Sequence, residues 1–139
     1  YRSKISGPLL DRLDMHMDVP ALRYQDLSST RVGESSFDVR KRVKRARELQ
    51  RKRYGMTLSN SCILSKNLRR HCKLNTACQQ LMKQAIDVMG ISARAYDRLL
   101  RVARTIADLA EAEDISKEHL MEAINFRSQE KEEEETLTF

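Results

Sequence analysis

The stretch Ile91-Ser-Ala-Arg-Ala-Tyr-Asp-Arg-Leu-Leu-Arg-Val-Ala-Arg-Thr-Ile-Ala-Asp-Leu109 decides how the rest of the chain is read. From Tyr96 its apolar residues are Tyr96, Leu99, Leu100, Val102, Ala103, Ile106, Ala107 and Leu109, a broad stripe at helical spacing. Gly90 can end a preceding helix, and Ser92 can cap the new one. Asp97, Arg98, Arg101, Arg104 and Asp108 take most of the remaining surface in this reading. Arg94 falls in the first turn, where the helix dipole favours an anion over a cation. Helix stability does not account for it. Two readings are open, a solvated surface arginine and an arginine aimed at a phosphate.

Working outward in both directions, the same local rules give more helices. Thr76 with Gln79 three residues on has the form of a capping box, opening a helix through Met89 with Leu81, Met82, Ala85, Ile86 and Met89 as its apolar face. Ser65 can cap a short helix through about Cys72, after an irregular crossing from Met56 to Leu64. On the far side, Ser116 caps a helix to about Arg127, with Leu120, Ala123, Ile124 and Phe126 inward. Ser36 opens a long helix from Phe37 to about Tyr54, stopped by Gly55. Val39, Val43, Ala46 and Leu49 give it a narrow apolar stripe, and nine basic residues crowd its other sides. Arg40, Arg42, Lys44 and Arg47 are the candidates there for contact with a nucleic-acid backbone, although the helix lacks the interleaved aromatics of a stacking surface. A solvated basic face or a subunit contact is the competing reading.

The beginning of the chain differs in period. Leu13, Met15, Met17 and Val19 alternate with Asp14, His16 and Asp18, the pattern of a half-buried strand stopped by Pro20. A lone strand is not stable in water, so its partners are expected elsewhere. The expected fold is therefore all-α, a bundle of four to five helices preceded by one strand left over from an α/β core. The domain boundaries that follow are 1–22 for the strand remnant, 23–35 for a linker, 36–127 for the bundle and 128–139 for an acidic tail.

Composition agrees with a helical core. The 139 residues contain no Trp, only 4 Gly and 2 Pro, too few turn residues for a β-sandwich. The net charge is +6, and the segment from Ser128 to Phe139 carries −4, which leaves +10 on residues 1–127. That balance suits contact with nucleic acid or nucleotide. No apolar run reaches membrane-span length, so no membrane partner is expected. Cys62, Cys72 and Cys78 form no CxxC pair and read as free thiols in a cytoplasmic protein. Neither His71 with Cys72 nor Asp14, His16 and Asp18 has the spacing of a strong metal site, and no metal ligand is assigned. The chain has no GxxxxGK[ST] loop, GxGxxG turn or HExxH helix, and its three histidines are scattered. Alone it is not expected to be an enzyme. Because it begins at Tyr rather than Met, it reads as a piece of a longer protein.

Two blocks carry a resemblance. The segments from Lys4 to Pro20 and from Ile91 to Leu109 closely resemble the C-terminal part of the magnesium-chelatase-related AAA+ ATPases of ComM/YifB type, and Arg47-Glu-Leu-Gln50 is similar to the same family. The resemblance covers about residues 1–127 and implies an AAA+ module cut in its middle, its helical lid at 36–127. It implies that Arg12, in the Leu-Leu-Asp-Arg turn, is an arginine finger reaching a neighbouring subunit. It implies that Arg94, in Ser-Ala-Arg, is the sensor-2 contact to the γ-phosphate of its own subunit, with Arg98 and then Arg101 as weaker candidates for the same pocket. ATP and Mg²⁺ would be cofactors of the full-length protein, with nothing expected bound to this piece. The other subunits of a ring, a homo-hexamer, would be partners, with DNA as the remodelled substrate. The alternatives are a self-contained basic helical nucleic-acid-binding module and the lid of a true magnesium-chelatase motor subunit.

Overall fold

The computed structural model describes residues 12–17, 19–21, 33–55 and 58–128. Five helices run through them: α1 (Ser36–Tyr54), α2 (Ser65–His71), α3 (Thr76–Met89), α4 (Ala93–Leu109) and α5 (Lys117–Ser128), with a 3₁₀ turn at Asn60–Cys62 between α1 and α2. The segment singled out by its periodicity is the central helix. Against α4 pack α1, α2, α5 and the 3₁₀ turn, and α3 packs on α5. The result is the all-α bundle expected, with α4 as its axis.

Local chemistry sets the boundaries. Ser92 Oγ accepts from the Ala95 amide at 3.2 Å and so caps α4, while Gly90 ends α3 in the left-handed region at φ 62. Gly55 ends α1 in the same way at φ 67. A side chain is strained at these backbone angles, which is why both helices stop at glycine. The cap of α3 is Asn75, one residue before the expected Thr76; its side chain accepts from the Cys78 amide at 2.8 Å. Gln79 then donates to the Leu74 carbonyl instead of closing a capping box. At α5, Ser116 Oγ accepts from the His119 amide and His119 Nδ1 accepts from the Ser116 amide, so histidine takes the reciprocal role that Glu or Gln usually plays. Ser35 rather than Ser36 caps α1, accepting from the Asp38 amide.

The core is built from Leu99, Leu100, Ala103 and Ala107 of α4, Leu120 and Ala123 of α5, Met82 and Cys78 of α3, Leu68 of α2 and Ile115 of the α4–α5 loop. Burying each of the large apolar side chains contributes roughly 1.5–3 kcal/mol relative to leaving it in water.

Three expectations change. The apolar stripe of α1 is covered only at its C-terminal end, where Ala46 and Gln50 are buried, whereas Val39 and Val43 stay exposed. Only the second half of α1 lies on α4, because the first turns run beyond the elements available to cover them. Next, the alternating segment forms no strand among the described residues, and Asp18 lies outside them. Its faces are reversed: His16 is buried while Leu13, Met15, Met17 and Val19 are exposed. The physical reason is that the described residues offer no other strand to pair with it; instead the His16 amide donates to the Phe126 carbonyl at the end of α5, 2.8 Å away. Finally, Arg104 and Asp108 are not surface residues. They are 3% and 0% exposed. The linker residues 23–32 and the acidic tail beyond Ser128 lie outside the described residues.

Candidate functional site

The N-terminal end of α4 brings together three of the arginines singled out in the sequence. Arg94 is exposed in the first turn and enters no hydrogen bond or ion pair among the described residues. Arg98, four residues on, stands one turn further along the same face. Its Nη1 donates to the carbonyl of Arg12 and, at 2.6 Å, to the Asp14 carboxylate. Arg12 itself is exposed, and its backbone carbonyl is thereby tied to the side chain of Arg98, the residue one turn along from Arg94. Asp14, a neighbour with which Arg12 could have paired, is therefore engaged by Arg98. Arg101 lies further still and is directed to the Ile63 carbonyl through Nη2 at 2.9 Å. Arg94 and Arg12 are thus exposed residues, while Arg98 and Arg101 bind protein.

At the opposite, C-terminal end of α4 lies a polar cluster centred on Asp108. Its carboxylate accepts from Arg53 Nη2 at 2.5 Å and Nη1 at 2.9 Å, from Asn60 Nδ2 at 2.8 Å and from Arg104 Nε at 3.2 Å. The remaining Arg104 donors reach the Glu113 and Ala112 carbonyls, both at 2.7 Å, closing the loop into α5. Asn60 Nδ2 also donates to Thr105, its Oδ1 accepts from the Tyr54 hydroxyl at 2.6 Å, and its amide donates to Gln50. A bidentate contact to a buried carboxylate favours the charged guanidinium, and the Arg53 pKa is accordingly raised. Sequence reading missed this cluster, though it held one signal: Tyr96, Leu100, Arg104 and Asp108 form a single i, i+4 row continuing the apolar face.

The basic face of α1 separates into two sets. Arg42 binds Glu34 bidentately at 2.7 and 2.9 Å, and Arg45 pairs with Glu111 at 3.1 Å. Arg40, Lys44, Arg47 and Arg51 recur at steps of four, three and four residues, are exposed, and form no ion pair among the described residues. Three of these were expected; Arg51 completes the row in place of Arg42. The row spans about 16 Å of helix.

The three cysteines are free, as the sequence suggested. Burial pushes the Cys72 thiol up to about 11, whereas hydrogen bonds from Ser59 and Ser61 lower that of exposed Cys62. Cys62 lines a cavity of about 520 Å³ with Tyr54, Leu58, Leu64, Arg70 and His71, remote in sequence from Arg12 and Arg94. Among the described residues no cluster of three or more His, Cys, Asp or Glu side chains is placed to hold a metal ion. Nor is any helix there long and apolar enough to cross a membrane.

A five-helix unit with an exposed arginine in the first turn of its central helix defines a class, and comparison with known proteins gives it a family. Residues 33–127 match the family described as magnesium chelatase, subunit ChlI C-terminal, and residues 1–27 match the family described as magnesium chelatase, subunit ChlI. The chain belongs to the magnesium-chelatase ChlI C-terminal family. Among its relatives are the competence protein ComM of Haemophilus influenzae, 41% identical over 129 residues, and the protein YifB of Escherichia coli, 40% identical over 129 residues. In each case the match covers 92% of this chain and 25% of the relative. The protein Rv2897c of Mycobacterium tuberculosis is 37% identical over a similar span. The chain spans about a quarter of the length of these relatives. It is a ComM/YifB-type C-terminal region.

Proposed function

We propose that this chain is the helical lid of an AAA+ ATPase and that Arg94 and Arg12 are its contributions to ATP hydrolysis in a ring of subunits. The observation that carries the reading is Arg94, an exposed cation without a protein partner among the described residues, at the end of α4 where the dipole disfavours it. A phosphate removes the conflict. The backbone amides of the first turn and the guanidinium would then face the same anion.

The tethering of Arg12 beside α4 supports a refinement. Because Arg98, one turn from Arg94, holds the Arg12 backbone, the two guanidinium groups, neither of which has a partner among the described residues, are suited to a single triphosphate. An arginine finger acts across a subunit boundary, so this proximity favours Arg94 acting across the same boundary rather than within its own subunit. ATP supplies the phosphoanhydride that is cleaved. Arg94 and Arg12 would stabilise charge developing on the transferred phosphoryl group, a role for which a permanently charged, fork-shaped donor is well suited. Residues outside this sequence would hold Mg²⁺ and the remaining phosphates.

A second observation favours nucleic acid as what the motor acts on. The row Arg40, Lys44, Arg47 and Arg51, which forms no ion pair among the described residues, gives α1 the spacing to follow a phosphate backbone. The test of the ATPase reading is to replace Arg94 and, separately, Arg12 by Ala in the full-length protein. Arg12→Ala is expected to lower the turnover rate by roughly 10³-fold, in line with arginine fingers generally, and Arg94→Ala by at least about tenfold. Unchanged rates in both variants would refute it.

A further inference from the structure

Residues 12–16 sit against the bundle with little apolar burial, since Leu13 is 46% and Met15 45% exposed. What holds them is polar and comes from two helices. From α4, Arg98 Nη1 donates to the Arg12 carbonyl and to the Asp14 carboxylate at 2.6 Å. From α5, Arg127 Nη1 donates to the Leu13 carbonyl at 3.3 Å, and the Phe126 carbonyl accepts from the His16 amide at 2.8 Å. Two of these anchors end on consecutive backbone carbonyls, so they fix where the chain runs and hence where the Arg12 side chain starts.

Arg98 is the anchor nearest Arg12, and it stands one turn from Arg94 on the same helix face. Its charge is also compensated there. A third free guanidinium at this end would repel the other two; paired with Asp14, it does not. We infer that Arg98 is a positioning residue: with Asp14 it latches the Arg12 turn to α4, so that Arg12 and Arg94 are carried as one rigid piece. A displacement of α4 produced by the ligand at Arg94 then moves Arg12 with it. The inference rests on the reading of Arg12 and Arg94 given above, and it assigns Arg98 to the protein rather than to the phosphate.

The latch is tested in the full-length protein with Arg98→Ala, Asp14→Asn and the exchanged pair Asp14→Arg with Arg98→Asp, beside Arg12→Ala and Arg94→Ala. Arg98→Ala and Asp14→Asn are each expected to lower kcat about tenfold while KM for ATP stays within about twofold, because the phosphate ligands remain but one is misplaced. The exchanged pair is expected to recover the part of the loss carried by the ion pair, but not the part carried by the hydrogen bond to the Arg12 carbonyl, which an aspartate at position 98 cannot donate. Amide exchange at His16 supplies a readout independent of turnover; it is expected to quicken in Arg98→Ala with the melting temperature unchanged. If Arg98→Ala raises KM as Arg94→Ala does while Asp14→Asn is silent, Arg98 is itself a phosphate ligand and the latch is wrong. If both latch variants are silent in turnover and exchange while Arg12→Ala and Arg94→Ala are inactive, the latch fails and the ATPase reading stands. If Arg12→Ala and Arg94→Ala are also silent, both fall together.

Discussion

Asp108 shows what a single residue does in this bundle. It is fully buried, yet it is a charge, and it persists there because Arg53, Arg104 and Asn60 all donate to it. Removing one partner of such a cluster is more costly than never having built it, since the others remain buried and unpaired. Asp108→Ala is therefore predicted to destabilise the protein by about 3–5 kcal/mol, read as a lowered urea midpoint. A loss below about 1 kcal/mol would mean that the cluster is solvated in solution and that the geometry around Asp108 overstates its role. The residue was misread in sequence as surface because its partner Arg53 lies 55 positions earlier, beyond the reach of any helical period. The four-residue row from Tyr96 to Asp108 was the available hint, and it points inward only once α1 is known to cover that flank. Arg94 was legible for the opposite reason: the conflict between its charge and the helix dipole is entirely local.

At the scale of elements, the starts and stops of helices followed from single residues, namely Ser92, Gly90, Gly55 and Ser116, because capping is a matter of the nearest few backbone groups. Which face an element buries was less legible. The alternating segment from Leu13 has the pattern of a half-buried strand, but it lies with His16 inward, since orientation depends on what is available to cover it. For α1 the periodicity held while its consequence did not, because Val39 and Val43 lie beyond the packed half of the helix. The basic row runs along both halves, with Arg40 and Lys44 on the exposed one and Arg47 and Arg51 on the packed one. If α1 follows a nucleic-acid backbone, changing Arg40, Lys44, Arg47 and Arg51 to Gln is predicted to weaken binding of duplex DNA and to flatten the log–log salt dependence by about 3–4. Salt-titrated binding measures this directly. Binding with an unchanged slope would assign the charge of α1 to solvent or to a subunit contact.

For the whole molecule, α4 is the organising element in two senses. Its buried face gathers α1, α2 and α5 into one unit, and its first turns hold Arg94 together with the tethered Arg12. The Asp108 cluster ties the C-terminal end of α4 to α1, to the 3₁₀ turn and to the loop entering α5, so the helix is fixed at its far end while its N-terminal end meets the ligand. On the proposed reading, this is a lid whose two phosphate-facing arginines travel together and serve one nucleotide at a subunit boundary. Subunit mixing tests that most directly. Full-length Arg94→Ala is combined with subunits whose own phosphate-binding loop has been disabled, and ATPase activity is measured against each variant alone. If Arg94 acts across the boundary, the disabled subunit supplies it to its neighbour, and activity rises well above that of either parent, as it does when Arg12→Ala replaces Arg94→Ala in the mixture. Recovery with Arg12→Ala but none with Arg94→Ala would place Arg94 on the nucleotide of its own subunit and contradict the shared site.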